Sequence, residues 1–287
     1  MFGLWNGLMT EETQTLIQLC VLLPAGLAAV FVLFKRGCLS AQSLANRPVK
    51  QTGLLAVDLL IGLMVLIFGM MLTSVVAGMI PTDTQNTRLE AGMQLVHQLC
   101  TFGPLIAYIT ARLRVSDHHL GDIGLSLCDP PHWKMGMWAT VLGIPILFAL
   151  STLVAFASNL MGFQTEEIAH KMLITISQTK DVVTLGLLLI SAIVFAPLFE
   201  EFIFRGFLHQ SMRDVISPGK PWMSIAICSF IFAGIHISAA QWQAMPALFI
   251  LGGILGWMYE KSASLWPCII LHACFNALNI AIVLLFM

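Results

Sequence analysis

Three short polar clusters interrupt an otherwise apolar sequence: Glu200, Glu201 and Arg205 in FEEFIFR, His236 in FAGIH, and His272 with Asn276 in HACFN. Ionisable side chains are costly in lipid-buried stretches, so where they persist they mark a functional site by default. On a helix, residues four apart share a face, so Glu201 can pair with Arg205 while Glu200, turned by about 100° from it, points elsewhere. One carboxylate is then held by the arginine and the other stays available. Burial raises a carboxylate's pKa and a neighbouring cation lowers it, and that balance tunes a base for activating water. Glu200 is therefore the candidate base, with Glu201 and Arg205 as its support. The bland alternative is an ion cluster at a helix end on the membrane surface. Phe232 and His236 are also four apart, as are His272 and Asn276, so three successive helices each offer a small polar face.

The elements that must position these residues follow from composition. Of 287 residues, 58% are hydrophobic and 10% charged, with a mean hydropathy of +0.87, whereas soluble domains carry about 25% charged residues. A hydrocarbon core of about 30 Å needs roughly 20 apolar residues per crossing. Eight candidate spans follow, at 13–34, 53–79, 91–111, 135–158, 183–208, 222–238, 245–258 and 265–286. The seventh is short and Gly-rich. The predicted fold is all-α, a polytopic transmembrane helical bundle of about eight spans. Residues 1–134 supply spans of unassigned role and a loop, and residues 135–287 form a core that carries the motifs. The first span lacks the positive opening of a cleaved signal, because Glu11 and Glu12 precede it.

Lys and Arg in the loops set orientation. Lys35, Arg36, Arg47, Lys50, Arg112, Arg114, Lys134, Arg205, Arg213, Lys220 and Lys261 fall on one side, and only Arg88, Lys171 and Lys180 on the other. The first side is expected to be cytoplasmic, with both termini outside, in a multi-pass protein of a prokaryotic plasma membrane. Glu166, Glu167 and Asp181 share one outward loop. At 1.5 Å per residue, Glu200 lies about 12 Å and His272 about 10 Å from the cytoplasmic ends of their spans, which predicts a site open to that side, although His236 sits deeper at about 21 Å. A net charge of −1 argues against a nucleic-acid partner and leaves lipids as the surroundings.

Other polar residues have bland readings. Cys20, Cys38, Cys100, Cys128, Cys228, Cys268 and Cys274 show no CxxC and no regular spacing, so they read as packing residues and not as a disulfide framework. Asp58 and His97 read as snorkelled or internally bonded side chains. Asp117, His118, His119 and Asp122 have metal-ligating chemistry but fall in a turn-rich stretch that reads as a solvated loop.

Taken together and in order, EExxxR, FxxxH and HxxxN resemble the CPBP family of intramembrane proteases, which includes the CAAX prenyl endopeptidases. The resemblance covers roughly residues 183–280, extends through GGILGWMYEKSASLWPCIILHACFN, and has a fainter echo in GDIGLS at 121–126. It implies hydrolysis of a peptide bond in a membrane-associated protein or peptide. Glu200 and His236 would activate water, His272 and Asn276 would stabilise the oxyanion, and Glu201 and Arg205 would hold the site. Such donors are worth a few kcal/mol each. Zinc is an option the resemblance leaves open, with Glu200, His236 and His272 as its ligands, since catalytic zinc commonly takes three protein ligands. HExxH is absent. Two alternatives remain: a noncatalytic binding or immunity factor with the same motifs, and an ion-coupled transporter, which would usually show broken helices in matching halves. The polar residues here lie in one half only. Oligomeric state is not legible.

Overall fold

The computed structural model describes residues 11–79, 87–126, 132–163 and 171–286. Cys128, Glu166 and Glu167 lie outside them. Among the described residues the chain is all helical: α1 (Glu11–Lys35), α2 (Ala56–Met79), α3 (Thr87–Val115), α4 (Trp133–Leu160), α5 (Lys171–Gln178), α6 (Val182–Ile216), α7 (Pro221–Ile235), α8 (Met245–Ser262) and α9 (Trp266–Phe286). Six stretches are long and apolar enough to cross a membrane: Gln18–Lys35, Ala56–Met79, Trp133–Leu160, Val182–Ile216, Pro221–Ser238 and Trp266–Leu285. The chain is thus a multi-pass integral membrane protein.

The third and seventh predicted spans exist as α3 and α8 but are not among these six. The reasons differ. α3 has 29 residues and carries Arg88, Glu90, Gln94, His97 and Gln98 in its first half. α8 has only 18 residues and ends on Glu260 and Lys261. Leu251, Leu255 and Met258 of α8 are fully buried while Phe249 is exposed, so most of this helix packs on protein and little of its surface faces lipid. α1 is the converse case: it packs on α4 and leaves Val21, Leu27, Phe31 and Phe34 exposed, as a lipid-facing helix does.

The main core lies where α3, α6, α7, α8 and α9 meet, around Ile109, Leu113, Phe204, Phe232, Leu251, Leu255, Leu265 and Leu271. Asp58 is internally bonded, accepting from Tyr108 Oη at 2.6 Å and Arg112 Nε at 3.0 Å, which ties α2 to α3. The stretch after α3 is not simply a solvated loop. Ile123 is fully buried, and Gly124 O accepts from Leu265 N at 2.9 Å. Gly124 has φ +90°, and a Cβ there would meet Ala263 O at 2.9 Å, so only glycine lets this segment close against the α8–α9 turn.

α6 is longer than predicted and not uniformly α-helical. It contains π-helical turns at Ser191–Phe195, Phe202–His209 and Met212–Ile216, a local winding that recurs at functional sites. Arg205 and Arg213, counted above as loop residues, lie within it and are 1% and 5% exposed. With the helix end moved to Ile216, Glu200 sits roughly 20 Å from that end, the same depth as His236 measured from Pro221. The mismatch in depth between the two disappears.

Candidate active site

Glu200 and Glu201 follow the first π turn of α6, and Pro197 explains the geometry around them. Ala196 N donates five residues back to Ser191 O. The next bond in that pattern would reach from residue 197 to Ala192 O, but proline has no N–H to give. Asn276 Nδ2 of α9 donates to Ala192 O instead, at 2.9 Å. Asn276 thus caps a carbonyl freed by the winding of the site helix, which uses one of its two amide hydrogens.

Glu201 is fully buried. Its Oε1 accepts from Arg205 Nη1 at 3.1 Å and from His272 Nδ1 at 2.8 Å. Arg205 also donates from Nη2 to Gly252 O at 3.1 Å and stacks over the Phe232 ring at 5.0 Å. The expected support pair therefore exists, and it reaches one partner further than predicted, to His272.

Glu200 points elsewhere. Its Oε2 lies 3.8 Å from His236 Nε2 and 3.9 Å from His272 Nε2, and it has no direct hydrogen-bond partner. His236 is at the C-terminal end of α7, in a short 3-10 turn His236–Ser238 that forms the last residues of the Pro221–Ser238 span. Its Nδ1 faces Phe232 O at 2.7 Å. A carbonyl can only accept, so Nδ1 carries a proton and donates to it, and Nε2 is the nitrogen turned toward Glu200. The FxxxH spacing thus puts the histidine within reach of the carbonyl one turn back, and the Phe232 ring packs 4.9 Å from His236 and 5.7 Å from His272 between centroids. The side chains of Glu200 and His236 keep 14% and 16% exposure against 4% for His272, so the Glu200–His236 side is the accessible face.

Five of the six residues singled out in the sequence are thus linked at one place, and Asn276 stands one turn along α9 from His272, bonded to Ala192 O. The metal reading fits less well. Ligand atoms around a four-coordinate zinc at 2.0–2.1 Å stand about 3.3 Å apart, closer than the 3.8 and 3.9 Å observed here. Among the described residues no group of three His, Cys, Asp or Glu is arranged to hold an ion, including the stretch with His118, His119 and Asp122. There His119 N donates to Asp122 Oδ2 at 2.8 Å, an ordinary turn contact. Sequence reasoning missed Ala192, Pro197 and Gly252. Pro197, three residues before the carboxylates, was the one visible signal.

A bundle of lipid-crossing helices that gathers a carboxylate pair, an arginine and two histidines defines a membrane protein with a polar site inside its helical core. Residues 182–278 match the family model described as type II CAAX prenyl endopeptidase Rce1-like, so this segment is an Rce1-like domain of the CPBP group. No curated protein and no solved structure matches the chain.

Proposed function

We propose that the Rce1-like segment is an intramembrane endopeptidase site that hydrolyses a peptide bond in a membrane-associated protein or peptide. The observation that carries this reading is the convergence of two imidazole Nε2 atoms on Glu200 Oε2 at 3.8 and 3.9 Å. Polar groups that stand beyond 3.5 Å apart leave room for a bridging water. A water there can direct one hydrogen to Glu200 Oε2 and the other to His236 Nε2, leaving an oxygen lone pair for the scissile carbonyl carbon. As the O–C bond forms, the proton passes to Glu200. As the C–N bond breaks, the same proton is returned to the leaving amine. No step is routed through a metal.

Negative charge then collects on the carbonyl oxygen. In this reading His272, through Nε2, and Asn276, through its second Nδ2 hydrogen, are the donors to that oxygen. Arg205 keeps Glu201 in place. The cytoplasmic opening expected above has less support than access from the His236 end of α7. On the basic side, the segment ending in Gly124 closes against the α8–α9 turn, and the site lies roughly 20 Å away along both α6 and α7.

The test is cleavage of membrane-anchored reporter peptides by the protein reconstituted in lipid, comparing wild type with His236→Ala, each with and without a strong chelator. Cleavage by wild type that survives chelation and disappears in the variant supports the reading. Cleavage abolished by chelator and restored by zinc overturns the metal-free mechanism. No cleavage by wild type of any reporter overturns the protease assignment in favour of a noncatalytic binding role.

A further inference from the structure

Glu201, Arg205, His209 and Arg213 recur every four residues along α6, and all are buried. The first two belong to the site. The other two begin a second polar cluster that hydrolysis does not use. His209 Nε2 lies 2.8 Å from Glu260 Oε1 of α8, with both side chains fully buried. Glu260 Oε2 stands 2.5 Å from Arg47 Nε. Arg213 Nη2 donates to Lys50 O at 2.9 Å, and Gln210 bonds Tyr259 Oη.

Buried ion pairs are weak contributors to stability, since desolvation offsets most of the attraction, and their best-attested use is to fix register. Register is what this pair fixes. Polar bonds join α8 to α6 at two levels: Arg205 Nη2 to Gly252 O at 3.1 Å, and further along His209 to Glu260 beside Gln210 to Tyr259 Oη. Gly252 and Glu260 are eight residues apart, about 12 Å along the helix. Two bonds at that spacing set both the axial position and the rotation of α8 against α6. The apolar contacts between them would permit sliding, because in lipid no hydrophobic force drives one helix face onto another. α8 then turns directly into α9, where His272 follows Trp266 by six residues.

We propose that His209 and Glu260 are positioning residues for the hydrolytic site. Their bond holds α8 in register, keeps the Gly252 carbonyl on Arg205, and through Arg205 and the α8–α9 turn holds Glu201 and His272 in place. The kinetic part of this inference rests on the proteolytic reading above, whereas the register itself does not.

The experiment compares wild type with Glu260→Ala, His209→Ala, the double variant, Glu260→Gln and Arg47→Ala, each purified and reconstituted. The two alanine variants are expected to lower kcat about tenfold or more while KM stays within about twofold, the size of effect seen when an outer partner of a site residue is removed. The double variant is expected to be no worse than either single one, because both remove the same bond. Glu260→Gln keeps an acceptor for Nε2–H and is expected to restore most of the rate, and Arg47→Ala leaves the bond intact and the rate near wild type. Hydrogen exchange across residues 252–272 reports register without activity: it is expected to quicken in the alanine variants and match wild type in Glu260→Gln. Wild-type kcat in Glu260→Ala, losses that multiply in the double variant, or equal impairment by Ala and Gln overturns the assignment. A wild type that cleaves nothing sinks the proteolytic reading alone, and unchanged exchange in Glu260→Ala then overturns the register.

Discussion

Glu200 and Glu201 are chemically identical neighbours that the fold separates. Glu201 is fully buried and committed to Arg205 and His272, whereas Glu200 keeps partial exposure and faces the Nε2 atoms of two histidines. Asn276 holds Ala192 O, and in the proposed mechanism its second N–H serves the oxyanion. Asn276→Ala is expected to lower kcat about 10²–10³-fold, the usual cost of one oxyanion donor, with KM little changed. Steady-state kinetics on a reporter peptide check this, and a variant that only raises KM would remove Asn276 from the transition state. At this scale the sequence was readable because the residue pairs are local: spacing of four puts Glu201 on Arg205 and His236 on the Phe232 carbonyl whatever else the chain does. The Pro197–Ala192–Asn276 link was not readable, since it needs α9 to arrive beside a π turn 84 residues earlier in the chain.

Elements set the site through close approaches. A Cβ on Gly252 would meet Ser229 Cα at 2.9 Å, a backbone atom of α7 that cannot swing away. Gly252→Ala is therefore expected to push α7 from α8, move His236 relative to Glu200, and lower both the melting temperature and kcat. Parallel thermal unfolding and kinetics decide it, and a variant that melts and cleaves like wild type would show that the α7–α8 contact is slack. At the far end of α6, Asp181 caps the helix through Thr184 N at 2.9 Å and binds Arg88 of α3 at 2.8 and 2.6 Å. Hydrogen bonds from Arg88 and Thr184 hold its carboxyl well below the usual carboxylate range. A carboxylate depressed in the folded state contributes stability that is present above the ordinary value and is lost as pH falls through the lower folded one. The α3–α6 tether is thus expected to hold at neutral pH and weaken below about pH 4. Asp181→Asn is expected to lower the melting temperature at neutral pH and flatten that acid dependence, and an acid profile identical to wild type would contradict the assignment. The end of α6 was misjudged from sequence because His209, Gln210 and Arg213 look like a loop until Glu260, Tyr259 and Lys50 arrive to satisfy them.

For the whole molecule, short central helices stand among long outer ones. α8 has 18 residues and α7 15, against 35 for α6 and 28 for α4, so the site at the His236 end of α7 is recessed among longer neighbours. Hydropathy counted α3 and α8 as ordinary spans, although α3 carries polar residues through its first half and α8 ends on Glu260 and Lys261. With Arg205 and Arg213 moved into α6, the remaining basic loops still favour the face expected to be cytoplasmic. Topology reporters inserted after Ser40 and after Phe163 are expected to report cytoplasmic and external locations respectively, and the reverse pattern would invert the direction from which substrate approaches.

The central claim is that Glu200 is the base and that its neighbour only supports it. The measurement that tests it most directly is the cleavage rate of Glu200→Gln beside wild type in the same bilayer, with thermal unfolding recorded on both. Cleavage lost with the melting temperature unchanged is the predicted result, because Glu200 forms no direct hydrogen bond at Oε2 that the fold depends on. A folded Glu200→Gln protein that cleaves at the wild-type rate would contradict the account and move the chemistry to another group.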